Sequence, residues 1–151
     1  MDPAPRRFED LPRDPEHDLP VPFACGTGDG GRAPSATSLD QRRVVQCALS
    51  RVCGVCGASL SRPITLFGSP EEADRADFHF PPGHLSCVQA LLAAYDAAHQ
   101  RVPHPLFGQD HPVVSWMLVT TAGVEFVRAG REKTDRRPTF RPNSVLEQRP
   151  A

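Results

Sequence analysis

The chain has 151 residues, enough for one domain with room for a small second lobe, and its 39% hydrophobic content supports only a modest core. A formal net charge of −1 and a pI of about 6.6 argue against a molecule-wide electrostatic footprint for nucleic acid. No run of about 18 apolar residues marks a membrane span and no apolar stretch marks a secretory signal, so the expectation is a cytoplasmic protein with no membrane partner.

Seventeen prolines are about 11% of the chain against a usual level of roughly 5%. Much of the molecule is therefore loop or extended segment, and a core diluted in this way gains most from a metal staple. Sixteen of the 17 basic residues are arginine, a bias that points to a GC-rich genome and carries no functional meaning. The cysteine count is five, with two as Cys-x-x-Cys, which in a chain lacking export signals reads as metal or redox chemistry before disulfides.

In chain order, residues 1–18 carry six acids against three arginines between prolines and read as a flexible acidic tail. Residues 19–25 (LPVPFAC) form a short apolar run with the character of an edge strand. Ser38 or Asp40 caps a helix over residues 41–50, with Val44, Val45, Ala48 and Leu49 on its apolar side. The turn Cys53-Gly-Val-Cys-Gly57 follows. Residues 62–67 and 77–80 read as two strands joined by an acidic loop. After Pro81-Pro82-Gly83, His84 opens a second helix reaching about His99, its buried face built from Leu85, Val88, Leu91, Leu92 and Tyr95. Residues 100–112 are a proline-rich connection. Residues 113–121 and 124–128 suggest a hairpin turning at Ala122-Gly123, and a further short strand is expected near 139–141.

Four residues carry the chemistry. Structural zinc takes four thiolate or imidazole ligands in a tetrahedron. Cys53 and Cys56 reach one ion from a tight turn, with Gly54 and Gly57 supplying positive φ. His84 and Cys87 lie three apart, hence on one face of a helix's first turn, where the helix N-terminus favours thiolate. A Cys-x-x-Cys turn, two strands and a helix that supplies the second ligand pair resemble a treble-clef zinc finger. Two competing readings are a redox pair at Cys53 and Cys56, for which no thioredoxin-like βαβ pattern is present, and ordinary buried residues. His79 is the rival to His84 as ligand, although its alternation with Phe78 and Phe80 places it on the face opposite those rings. Cys25 and Cys47 read as small apolar fillers.

The run Val52-Cys-Gly-Val-Cys-Gly-Ala58, followed by Phe80-Pro-Pro-Gly-His-Leu-Ser-Cys87, resembles a group of small uncharacterised zinc-binding proteins of actinobacteria and their phages. The likeness spans roughly Leu19 to Glu147 and includes the LPVPF segment and the SWMLVTTAGVEFVRAG region. It departs from the group where an additional Cys-Pro in the helix region is replaced by the neighbourhood of Ala93–Tyr95. The resemblance implies the four-ligand site and leaves the role open.

The expected fold is α+β: a small treble-clef-like module with short antiparallel strands and one or two helices. A zinc-stabilised domain is expected over 19–128, followed by a basic, mostly flexible segment over 129–151. The leading function is a non-catalytic binding or adaptor module with a protein partner, because four protein ligands leave no open metal position and HExxH, P-loop, GxSxG and Rossmann motifs are absent. Its candidate surfaces are the acidic loop (Glu71, Glu72, Asp74, Asp77) and the C-terminal segment. The alternative is a nucleic-acid-binding zinc finger that uses residues 128–141, where six basic residues face two acids. A treble-clef nuclease is a third reading; it would draw on His99, His104 or His111, which sit amid prolines without a matching partner.

Overall fold

The computed structural model describes residues 8–26, 33–97, 105–128 and 137–151. In chain order they form α1 (Gln41–Ser50), β1 (Ile64–Gly68), α2 (Pro70–Arg75), β2 (Gly83–His84), α3 (Leu85–Ala97), β3 (Met117–Val127) and β4 (Thr139–Pro150), with single 3-10 turns at Phe8–Asp10 and Phe23–Cys25. The architecture is α+β around one antiparallel sheet in the order β2-β1-β3-β4. No helix among the described residues is long and apolar enough to cross a membrane.

Helix α1 begins where Asp40 accepts the backbone N–H groups of Arg42 (2.9 Å) and Arg43 (3.5 Å), which satisfies two donors that the first turn leaves orphaned. It buries Val44 and Cys47, while Leu49, expected on the apolar side, is 69% exposed. Helix α3 buries Val88, Leu91, Leu92 and Tyr95, four of the five residues its periodicity marks; Leu85 is partly buried.

Five aromatic rings form the centre of the core. Phe67 from β1, Phe80, Phe107, Tyr95 from α3 and Trp116 meet at centroid distances between 4.6 and 5.9 Å. Such tilted and edge-to-face pairs contribute beyond their buried area. Phe107 is fully buried although it lies in the expected proline-rich connection, where its N–H donates to the carbonyl of Ala36 at 2.7 Å.

Several expectations change once tertiary partners are in place. Residues 19–25 make no edge strand: Pro20 bridges Arg13, Phe23–Cys25 is a 3-10 turn, and Leu19, Val21 and Phe23 are core. The boundary expected at Asp18 falls inside folded chain, since Leu11 is buried and the N–H groups of Asp14 and Val21 donate to Leu19 and Pro12; residues 1–7 of that tail lie outside the described residues. The acidic loop is helix α2, whose Ser69 and Glu72 cap each other with Pro70 at the first position. Residues 77–80 do not pair with β1; Phe78 instead exchanges two backbone hydrogen bonds with Phe140 at the start of β4.

The hairpin expected at Ala122-Gly123 is absent because β3 runs straight through that point. Its partner along the whole length is β4, with a register shift at Thr120/Thr121. The segment 129–151, expected to be mostly flexible, thus supplies a twelve-residue strand, while its residues 129–136 lie outside the described residues.

Candidate metal centre

The turn carrying Cys53 and Cys56 is closed by backbone pairing on both sides. The N–H of Cys53 donates to Ala58 at 2.7 Å, that of Gly57 to Cys53 at 2.8 Å, and that of Leu60 to Arg51 at 2.9 Å. Inside it, the Cys53 sulfur accepts the N–H groups of Val55 (3.4 Å) and Cys56 (3.5 Å), and the Cys56 sulfur accepts that of Ala58 (3.5 Å). These donors point partial positive charge at sulfur and so stabilise thiolate. The two glycines serve different needs. Gly57 takes the left-handed φ of 78°, as its place in the turn predicts. Gly54 is required for room, since a Cβ there would lie 3.0 Å from both the Phe80 ring and the Pro81 carbonyl oxygen.

The second ligand pair straddles a strand end and a helix start. His84 is not the first residue of the helix, as the sequence suggests; it belongs to β2 and is aligned by pairing with Ile64, while Cys87 sits in the first turn of α3. The extended backbone at His84 lets its N–H donate to the Cys53 sulfur at 3.3 Å. Gly83 permits this approach, because a Cβ there would stand 3.1 Å from that sulfur. The His84 Nε2 lies 2.9 Å from the Ser59 carbonyl oxygen, which holds the ring and turns Nδ1 inward. A backbone carbonyl on the outer ring nitrogen is the usual support of a metal-ligating histidine.

The four donor atoms, three Sγ and the His84 Nδ1, all lie within 4.8 Å of one another. From Nδ1 the distances are 3.5 Å to the Cys56 sulfur and 3.7 Å to the Cys87 sulfur. A tetrahedron with metal–sulfur bonds of about 2.3 Å and metal–nitrogen bonds of about 2.0 Å has sulfur–nitrogen edges of about 3.5 Å and sulfur–sulfur edges of about 3.8 Å. The residues present therefore fit a tetrahedral ion of that size. A hydrogen bond with Cys53, then burial, pushes the Cys56 thiol up, whereas the hydrogen bond with Cys53 holds Cys87 below its ordinary value. Among the described residues this is the one group of three or more such donors that converges.

His79, the rival ligand, is engaged elsewhere. It is 7% exposed, and its Nδ1 lies 2.7 Å from Oε2 of the buried Glu72. Glu72 also accepts the N–H of His79 (2.9 Å), the N–H of Ser69 (3.2 Å) and the Gln109 amide (2.6 Å). Burial alone would raise this carboxyl; the hydrogen bonds from His79 and Gln109 outweigh it and hold the group below the ordinary value. Cys25 and Cys47 are buried fillers, and burial pushes the Cys47 thiol up to about 12.

The fold engages part of each expected binding surface. Of the acidic set, Glu72 is core and Asp77 lies 3.6 Å from Arg141, which leaves Glu71 and Asp74 in solvent. Of the basic set, Arg137 pairs with Asp110 at 3.1 Å and Arg141 with Asp77, and residues 129–136 lie outside the described residues. Of the histidines weighed for a nuclease, His99 and His104 also lie outside the described residues, while His111 lines a cleft with Asp110, Glu71 and Arg75. No family model, curated protein or solved structure matches the chain.

Proposed function

We propose that this protein is a non-catalytic binding module whose fold is completed by one structural zinc ion held by Cys53, Cys56, His84 and Cys87. The observation that carries the reading is the meeting of four donor atoms from two segments 28 residues apart within 4.8 Å, with the His84 nitrogen 3.5 and 3.7 Å from two sulfurs, near the sulfur–nitrogen edge of a zinc tetrahedron. Three thiolates and one imidazole are a donor set that favours zinc over harder divalent ions. The arrangement is treble-clef-like in its ligand placement, with a turn giving one pair and a strand-to-helix junction the other. Four protein ligands fill the tetrahedron, so water and substrate have no coordination site there and the ion's contribution is to folding.

Native mass spectrometry of the full chain tests this. One zinc per polypeptide is the expected mass increment, and chelation should lower the melting temperature. A metal-free chain that melts cooperatively at the same temperature would remove the proposal. The sequence-based expectation of a protein partner stands beside the nucleic-acid reading. One surface favours the latter, and its cations lie outside the C-terminal segment.

A further inference from the structure

A cleft of about 340 Å³ opens between the end of α1, the base of the cysteine turn and the face of β3. Its apolar lining includes Leu60, Ile64, Val124, Phe126 and Phe140, and its two charged residues are Arg51 and Arg62. No acid lines it, in a chain whose formal charge is −1. Both arginines are exposed and, like Arg42, Arg75 and Arg128, have no ion pair among the described residues; what sets them apart is that they share one cleft. Arg51 also holds the left-handed conformation (φ 52°, ψ 57°) at the end of α1, where glycine is the default. The sequence keeps a long cation at a backbone position suited to a residue without a side chain.

We propose that this cleft binds one nucleotide of a single-stranded nucleic acid, its phosphate held by Arg51 and Arg62 and its base laid on Phe126. Guanidinium groups match phosphate through paired N–H donors, which accounts for two unpaired arginines at one mouth. The half-buried Phe126 ring, backed by Phe140 at 5.2 Å between centroids, is a stacking platform of the kind that single-strand binders use. The Asn143 side chain lines the same wall and can donate and accept at a base edge. A concave site of this size admits one base, and a duplex would keep its bases stacked and out of reach. The inference rests on reading the chain as a zinc-held binding module, but uses none of the four ligands.

The test is fluorescence polarisation of a labelled twelve-nucleotide oligothymidine with the full chain at about 50 mM salt, the low-salt end where phosphate contacts are strongest, and with zinc content measured on every sample. Arg51→Gln with Arg62→Gln should weaken binding at least tenfold, and Phe126→Leu on the order of tenfold. Arg75→Gln, outside the cleft, should change nothing. The wild type should show a log–log salt slope of about −0.7, as one neutralised phosphate requires on a single strand, and the double variant a slope near zero. Zinc-loaded double variant that binds like wild type would overturn the proposal, as would no wild-type binding or equal affinity for a duplex of the same length. Displacement by equimolar thymidine monophosphate would overturn the strand as source and leave a free nucleotide in the same cleft. Arginine-dependent binding by a metal-free wild type would sink the zinc reading and spare this one.

Discussion

The cysteine cluster and the Glu72–His79 network are both buried polar centres in a small core, and each recruits one histidine. They are closed by opposite means. Glu72 meets donors on both oxygens, from Ser69, His79 and Gln109, at 2.6 to 3.2 Å, so the protein satisfies that charge by itself. The Cys53 and Cys56 sulfurs accept backbone N–H groups at 3.3 to 3.5 Å, ordinary lengths for sulfur, yet all three sulfurs still converge on one another and on the His84 nitrogen. Acceptors that converge on donors make a finished network, whereas acceptors that converge on each other call for a cation. The same contrast explains why His79 stands outside the cysteine cluster: a carboxylate already claims its Nδ1.

The largest expected effect separates the two centres outright. Cys56→Ser or Cys87→Ser should release the metal and abolish the cooperative thermal transition, because about 10–16 kcal/mol of metal-binding energy is folding energy in small zinc modules. Metal analysis beside circular dichroism reads both, and a folded, metal-free serine variant would break the comparison.

Glu72→Gln should cost less, roughly 3 kcal/mol by urea unfolding, because an amide cannot accept from all the donors aimed at the carboxylate. Zinc should be retained in full. The effect carries a pH signature. The Glu72 carboxyl is held below its ordinary value of 4.5, so its stabilisation is complete above that value and is lost as pH falls through the lower folded-state value. The stability gap between wild type and Glu72→Gln should therefore be constant near neutrality and narrow in acid below about pH 4.5. A gap that widened in acid would mean the carboxyl is protonated in the folded protein.

The smallest effect sharpens the histidine assignment. His79→Ala should lower stability by about 1–3 kcal/mol through loss of a buried hydrogen bond and leave metal affinity unchanged, whereas His84→Ala should weaken zinc binding. Titration with a chromophoric chelator distinguishes them, and the reverse order would move the ligand to His79.

Much of this was legible before any coordinates. Asp40 and the periodicity after it mark α1, and the spacing of Leu91, Leu92 and Tyr95 marks the inner face of α3, since both signals depend on residues a few positions apart. The four-residue cluster was legible for a related reason: thiols and imidazole at those intervals have few other uses in a chain of this size. The start of α2 is set by equally local residues. Ser69-Pro70-Glu71-Glu72 is a capping box with proline at the first helical position, which marks α2 inside what looked like an acidic loop.

What the tertiary structure alone decided concerns partners distant in sequence. Ala122-Gly123 has the look of a turn, but β3 continues because β4 offers it pairing along its whole length, and the local pattern near 139–141 marks a short strand and not a twelve-residue partner. Phe107 reads as part of a connector until the rings of Phe67, Phe80, Tyr95 and Trp116 surround it. Arg51 and Arg62 are ordinary surface cations in sequence, and only the fold brings them to one cleft beside Phe126. Sequence by itself determined the donors and the helices, because short-range geometry is set by neighbouring residues. Strand partners, the buried fate of His79 and the charge of the cleft depended on which distant segments meet, and that is fixed only when the core closes.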